Sequence, residues 1–361
     1  MKITFRVDAS TQMGIGHVMR CLSLAQILKQ NNASIEFICR KHAGNLIDKI
    51  HSSGFNVHEL GVLEEFEVDN KLAHSHWLGA TQQQDADDCI GILKKEKIDW
   101  LIVDHYAIDE DWQCKLKPYY EKLMVIDDLA DRRHECDLLL DQNLFDDMPA
   151  RYYNKTPVQS QNFFGPQYAL LQKEYENLHE EIQAKAQTIE NILLFFSNMD
   201  LDGLTSKTLS ALTQVDDVFQ NVDVVISKQS PHYVKVKSQV EELPNAQLHS
   251  DLPSLVSLMA KADLAIGAGG TTHWERLCLA LPSLVIILAE NQRPVSRSLQ
   301  KMGLIELIGE ADTITADIIA SSIKKVLLRS DINNWSNLCR AQCSGGGTSF
   351  IVDKLLNYVK P

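Results

Sequence analysis

No stretch of this 361-residue chain approaches the roughly 20 apolar residues that a membrane-spanning helix needs. The longest strongly apolar run is Leu284 to Ala289 with its neighbours. The opening Met1-Lys2-Ile3-Thr4-Phe5-Arg6-Val7-Asp8 is too short and too charged for a signal peptide, so a cytoplasmic protein is expected. A basic excess is also missing: 35 Lys and Arg stand against 48 Asp and Glu, a formal net charge of −13. Nucleic acid and anionic membranes both need a basic surface, so neither is expected as a partner, although one local anion site is compatible with the charge. The eight cysteines are scattered through apolar periodic segments, as reduced core thiols are, and form no disulfide framework. Low-complexity segments and short repeats are absent, which excludes solenoids and linker arrays.

Several chemical signatures are missing too. There is no Gly-x-Ser-x-Gly elbow for a serine hydrolase and no Gly-Lys-Ser/Thr for a P-loop. His74-Ser75-His76 has no third ligand at zinc spacing, and Cys339 and Cys343 suit the buried side of a helix end. No metal and no cofactor are expected.

With 45% hydrophobic and 23% charged residues, the chain can bury a sizeable core. Its length suggests two domains at roughly 150 residues each. Short β-rich runs alternate with helical patterns. Strands are expected near Ile3–Val7, Ser34–Cys39, Trp100–Val103, Leu123–Ile126 and Leu138–Leu140. A second series is expected near Ile192–Phe196, Val222–Ile226, Gln247–His249, Leu264–Ile266, Leu284–Leu288 and Glu306–Ile308. Such alternation predicts parallel sheets covered by helices. The expected organisation is an N-terminal Rossmann-like domain over 1–170 and a C-terminal one over 171–348. A last helix over 349–361 returns to the first domain. In open parallel sheets the ligand crevice lies at the carboxyl ends of the strands, so two such domains facing across a cleft would share one site.

The informative residues fall on those loops. After the first strand, Arg6 to Gly16 leads into a helix whose Val18, Cys21, Leu22, Ala25 and Leu28 share one buried face. Gly14 and Gly16 permit a tight turn and close approach to a ligand. The full dinucleotide fingerprint is absent, because Met19 stands where its third glycine would be wanted. His17 sits at the helix start, where the dipole should lower its pKa and leave a neutral imidazole able to accept a proton from water. A plain capping role competes with that reading. Arg6, Asp8 and Gly16 count with this turn as substrate contacts.

The second such loop is Gly267-Ala268-Gly269-Gly270-Thr271-Thr272, between a strand and a helix expected over Thr272–Leu281. Its main-chain N–H groups would cradle a diphosphate without a metal. Glu275, one turn on, suits the two hydroxyls of a ribose or else a capping role. Asn291 and Gln292 offer amides to a sugar or base, and Arg293 suits a phosphate or, more simply, a solvated surface charge. Elsewhere, His105 and Tyr106 suit a sugar or a water. Asp104 and His105 equally suit bonds to neighbouring turns, and Asp127 and Asp128 suit a hydroxyl, a cation or a helix cap.

Taken in order, these segments resemble a known family. They are Arg6-Val7-Asp8-Ala9-Ser10, Gly14-x-Gly16-His17-x-x-Arg20-Cys21-Leu22, Asp104-His105-Tyr106, Asp137 to Leu144, Gly165 to Leu171, Gly269-Gly270-Thr271-Thr272-x-Trp274-Glu275 and Asn291-Gln292. The family is that of the UDP-2,4-diacetamido-2,4,6-trideoxy-β-L-altropyranose hydrolases of pseudaminic acid synthesis. The resemblance implies a GT-B fold like that of MurG and metal-independent hydrolysis of a UDP-sugar by water at the anomeric carbon, with inversion. It implies His17 as the catalytic histidine and Tyr106 as a cleft tyrosine. It places uridine-diphosphate contacts at Gly269, Gly270, Thr271, Thr272, Glu275, Asn291 and Gln292. The expected partner is a small-molecule UDP-sugar, and a monomer is expected. A glycosyltransferase on the same fold and a non-catalytic nucleotide-sugar binder are the competing readings. Two departures from the family pattern stand out: Ser197-Asn198-Met199 replaces a Gly-Gly-Ser turn before Asp200, and His273 replaces a small residue.

Overall fold

A computed structural model describes residues 1–63, 71–215 and 219–359. It divides into two compact units, Met1–Lys173 with Gly346–Pro361, and Glu174–Gly345.

The first unit is built on a seven-stranded sheet. Its strands are β1 (Lys2–Val7), β2 (Ser34–Arg40), β3 (Asn56–Leu60), β4 (Ile98–Asp104), β5 (Tyr120–Ile126), β6 (Leu138–Asp141) and β7 (Gln161–Phe164). They are parallel, in the order β3-β2-β1-β4-β5-β6-β7. β1 and β4 are buried along nearly their whole length because helices cover both faces of the sheet. One face packs on the opening helix Gly16–Gln30 and on Ile351, Val352 and Leu355 of the closing helix Gly347–Leu356. The Trp100 indole N–H donates to the Leu355 carbonyl at 3.2 Å, so the chain's last helix belongs to the first unit. β3 and β7 do not appear among the strands expected from sequence. Both are edge strands with half-exposed polar residues, so neither carries a continuous apolar run.

The strand order reverses between β1 and β4, and Val7 lies in register with Asp104. The loops leaving these two strands therefore start side by side, at the point where doubly wound sheets open a crevice. A buried ion network braces this end. Arg6 reaches Asp8 at 2.7 Å and Asp85 at 2.7 Å, and Arg40 also reaches Asp85 at 2.7 Å. The Trp112 indole donates to the same Asp85 at 3.1 Å.

The second unit carries a six-stranded sheet. It contains β8 (Asn191–Phe195), β9 (Asn221–Val225), β10 (Ala246–His249), β11 (Leu264–Ala268), β12 (Ser283–Ile287) and β13 (Glu306–Glu310). They are parallel in the order β10-β9-β8-β11-β12-β13, with the reversal between β8 and β11. Gly267 of β11 pairs with Phe195 of β8, and a Cβ there would collide with the Phe195 carbonyl and lie 2.8 Å from Arg276. The helix expected over Thr272–Leu281 stops at Cys278, since Ala280 turns to a φ of +54°.

Asp85 neutralises two buried guanidiniums, and removing one partner of a buried pair strands the other. Asp85→Ala should cost about 3–5 kcal/mol of stability, read from the urea midpoint; a loss under about 1 kcal/mol would contradict this role for the network.

Candidate active site

In the first unit the turn after β1 is shaped by Ser10, whose hydroxyl accepts the N–H groups of Gln12 at 3.2 Å and Met13 at 3.0 Å. Gly14 then adopts a φ of +76°, which a side chain would strain. The turn delivers His17 into the first turn of the opening helix. Its ring does not cap the helix. Instead Nδ1 lies 2.6 Å from Oδ1 of Asp104, the last residue of β4. Arg20, one helical turn on from His17, grips the same carboxylate through Nε at 2.6 Å and Nη2 at 2.7 Å. Its third nitrogen reaches Asp128, after β5, at 2.7 Å. The Tyr106 hydroxyl donates to that Asp128 oxygen at 2.8 Å. The Tyr106 ring meets His17 edge-on, with centroids 4.6 Å apart, and Trp77 stacks on Tyr106 at 5.6 Å. His74 closes the aromatic group, edge-on to Tyr106 at 5.4 Å.

Burial alone would raise the pKa of Asp104, but the Arg20 guanidinium, and after it His17, overcome this and hold the carboxyl well below the usual range. Burial raises the Tyr106 phenol well above its ordinary value, and the Asp128 carboxylate adds to it. Tyr106 is therefore a neutral donor whose proton is committed to Asp128.

Arg6 and Asp8 are essentially without exposed surface, so their side chains offer no direct contact to a ligand. They act as a support: Asp8 accepts the Arg40 N–H at 2.7 Å, with His105 at 3.3 Å and His42 at 3.6 Å. His105 is also buried, and its Nδ1 accepts the Ala107 N–H at 3.0 Å. That bond leaves the ring proton on Nε2, facing Asp8, so His105 has no free lone pair to offer a metal. Among the described residues, no group of three or more His, Cys, Asp or Glu side chains is placed to hold a metal ion.

In the second unit, Gly269 closes β11 against Ser296 and Gln292; a Cβ at this position would stand 2.5 Å from the Ser296 hydroxyl. Gly270, Thr271 and Thr272 follow into the helix Thr272–Cys278. The backbone bonds of this turn start with the His273 N–H to the Gly270 carbonyl at 3.0 Å, so the preceding N–H groups are those left open by a helix start. Gln292 is placed by its carbonyl oxygen, which accepts the Leu288 N–H at 3.0 Å, and Asn291 is half-buried beside it. Arg293 is paired with Glu290 at 2.8 Å and Glu310 at 2.7 Å. Glu275 is half-buried, and burial pushes its carboxyl up to about 7 against the pull of Arg276 and a hydrogen bond from Tyr175.

The two departures from the family pattern resolve differently. His273 points into the core, with Nδ1 3.0 Å from Arg276, and burial drives its pKa well below the ordinary value. It is a neutral packing residue. Asp200, at a φ of +43°, accepts the N–H groups of Leu204 and Thr205 at 2.9 Å each and so anchors the helix Leu204–Leu212. Asp128 was expected to meet a hydroxyl, a cation or a helix cap, and Arg20 was named only within the opening motif; neither was tied to His17, and Trp77 was not singled out. Arg20 was legible in principle as the i+3 neighbour of His17 on the same helix face; Trp77 is brought in only by the fold.

A carboxyl with a higher pKa in the folded chain holds its proton more tightly there, so folding stability falls as pH rises from about 4.3, the ordinary glutamate value, to about 7. Glu275→Gln should remove up to about 1.4 kcal/mol of that fall per pH unit. Urea midpoints at pH 5 and 7.5 check this; parallel curves for both proteins would refute it.

No family model matches the chain. An uncharacterized protein of Methanocaldococcus jannaschii is 26% identical over 81% of the chain, which spans 57% of that relative's length. A protein of Campylobacter jejuni named UDP-2,4-diacetamido-2,4,6-trideoxy-beta-L-altropyranose hydrolase is 25% identical over 84% of the chain and 97% of its own length. The spore coat polysaccharide biosynthesis protein SpsG of Bacillus subtilis is 23% identical over 91% of the chain and 89% of its own length. Among solved structures, Acinetobacter baumannii MurG superposes with a TM-score of 0.68 at 13% identity, covering 98% of this chain and 99% of its own. The calicheamicin glycosyltransferase CalG4 gives 0.65 at 13% identity, covering 100% and 99%. The chain thus has the GT-B fold and is similar in sequence to a UDP-2,4-diacetamido-2,4,6-trideoxy-β-L-altropyranose hydrolase, as its motifs led us to expect.

Proposed function

We propose that the chain is a UDP-sugar hydrolase that releases UDP from a 2,4-diacetamido-2,4,6-trideoxy hexose of altro configuration. It would act in the cytoplasm, in the synthesis of pseudaminic acid for surface glycans. The observation that carries this reading is the placement of His17: its Nδ1 is held by Asp104, and no hydrogen bond among the described residues engages its Nε2. The sequence similarity to the Campylobacter hydrolase supports the substrate class.

In this reading the second unit holds UDP. Open N–H groups of Gly270, Thr271 and Thr272 take the diphosphate, and Glu275 takes the ribose hydroxyls. Asn291 and Gln292 line the nucleotide. His17 Nε2 accepts a proton from water as the water oxygen bonds to the anomeric carbon. The carbon–oxygen bond to UDP breaks from the opposite face, its electron pair leaves on the diphosphate, and the configuration inverts. UDP is a good leaving group, and fixed N–H donors stabilise the charge that grows on it, so neither a strong acid nor a metal is required. The glycosyltransferase neighbours favour one alternative, transfer of the sugar to an acceptor hydroxyl.

His17→Ala should reduce turnover by about 10²–10⁴-fold while UDP affinity, measured by calorimetry, stays near wild type; undiminished turnover would end the assignment. In ¹⁸O-water without an acceptor, the wild-type protein should place label in the free sugar and none in UDP. Label in UDP would mean attack at phosphorus, and no free sugar would favour the transferase.

A further inference from the structure

The geometry points to Asp104 as the positioning residue that decides which nitrogen of His17 is the base, with Arg20 keeping Asp104 able to do so. This rests on the reading of His17 given above.

A contact of 2.6 Å between Nδ1 and a carboxylate oxygen needs a proton between them. Asp104 has no proton to give, because Arg20 saturates it through two short bonds at 2.6 and 2.7 Å and holds it ionised. The proton therefore sits on Nδ1, and the lone pair is confined to Nε2. Arg20 Nη2 also lies 3.3 Å from Nδ1, but that nitrogen bears hydrogen and cannot accept; the guanidinium hydrogens are directed to the carboxylate instead. The Cys21 thiol approaches the remaining side of Asp104 at 3.6 Å. With both oxygens occupied, Asp104 cannot rotate, and the imidazole cannot exchange its tautomer without breaking a charged bond.

The second half of the clamp runs through Asp128. Arg20 and Tyr106 converge on one oxygen of that residue, at 2.7 and 2.8 Å, and the Tyr106 ring returns to the edge of His17 at 4.6 Å. The charged and titratable groups around His17 are thus Asp104, Arg20, Cys21, Tyr106 with Asp128 behind it, and His74 from the aromatic group. Among the described residues, only Asp104 accepts a hydrogen bond from the ring. An imidazole that takes a proton becomes a cation, which the Asp104 carboxylate stabilises and the Arg20 guanidinium opposes. Their removal should therefore move the rate profile in opposite directions.

The test has two readouts. Nitrogen-15 NMR of the ring in the wild-type protein near neutral pH, or above the protonation of His17, needs no turnover and no variant. The Nδ1–H tautomer is expected, and the Nε2–H tautomer overturns the assignment whether or not the chain hydrolyses a UDP-sugar. In rate profiles with UDP-sugar, Asp104→Asn should lower kcat by about 10²-fold or more, with KM little changed, since a wrong tautomer removes general base help. It should also move the acidic limb to lower pH. Arg20→Met should move that limb to higher pH. A purely structural role for Asp104 predicts a loss without movement of either limb and would overturn the proposal. Should Asp104→Asn fail to fold, Tyr106→Phe, which keeps the ring and frees Asp128, should preserve the Nδ1–H tautomer; loss of that tautomer would shift the role away from Asp104. A normal tautomer together with absent hydrolysis would refute the proposed function and leave the positioning intact.

Discussion

A carboxylate at the end of a central strand is costly to bury unless it is paired, and Asp104 is paired twice over by Arg20. The arrangement of the first unit around its crevice follows from that bond. β4 must end beside β1 for Asp104 to meet the opening helix, and the helix must begin with His17 and continue to Arg20 so that both face the strand. The register of Val7 with Asp104 supplies the first condition and the spacing of three residues supplies the second. Because the pair is intramolecular and dry, its geometry is already set before any ligand arrives, which is what a base with a chosen nitrogen requires.

Around this pair the unit concentrates its charge at one end of the sheet. Arg6, Asp8, Arg40 and Asp85 form one buried cluster, and Asp127 with Arg132 at 2.9 Å forms another. Asn143 and Arg151 bind the Asp128 carbonyl at 3.1 and 2.9 Å. Much of the motif that carries the family resemblance, including Asp141 to Asn143, is therefore scaffold for the crevice and not its lining. Such clusters are weak devices for stability, since apolar replacements often do as well, but they fix the directions of the loops that they tie.

The second unit solves a different problem with main chain. Gly267 and Gly269 are required by space, against Phe195 and Ser296, and not by a left-handed backbone. The close passage of β11 beside β8 and of the loop beside Ser296 turns the start of the next helix outward with its N–H groups open. The charged residues there, Arg276 and His273, face inward and support the loop from behind.

From sequence alone, the periodic alternation of apolar strands and amphipathic helices determined the two parallel sheets, because burial on both faces leaves a mostly apolar signature; the GT-B fold was implied by the family resemblance of the motifs. The alternation also placed His17 and the Gly269–Thr272 loop at the carboxyl ends of strands. Edge strands β3 and β7 escaped, since half-exposed polar residues leave no such signature. The pairing of His17 with Asp104 escaped for another reason: Asp104 lies 87 positions along the chain, and only the order of strands in the sheet makes the two neighbours. Tertiary structure likewise turned Arg6 and Asp8 from ligand contacts into a buried brace and turned His273 inward. Periodicity reports which face of an element is buried; only packing reports what that face meets.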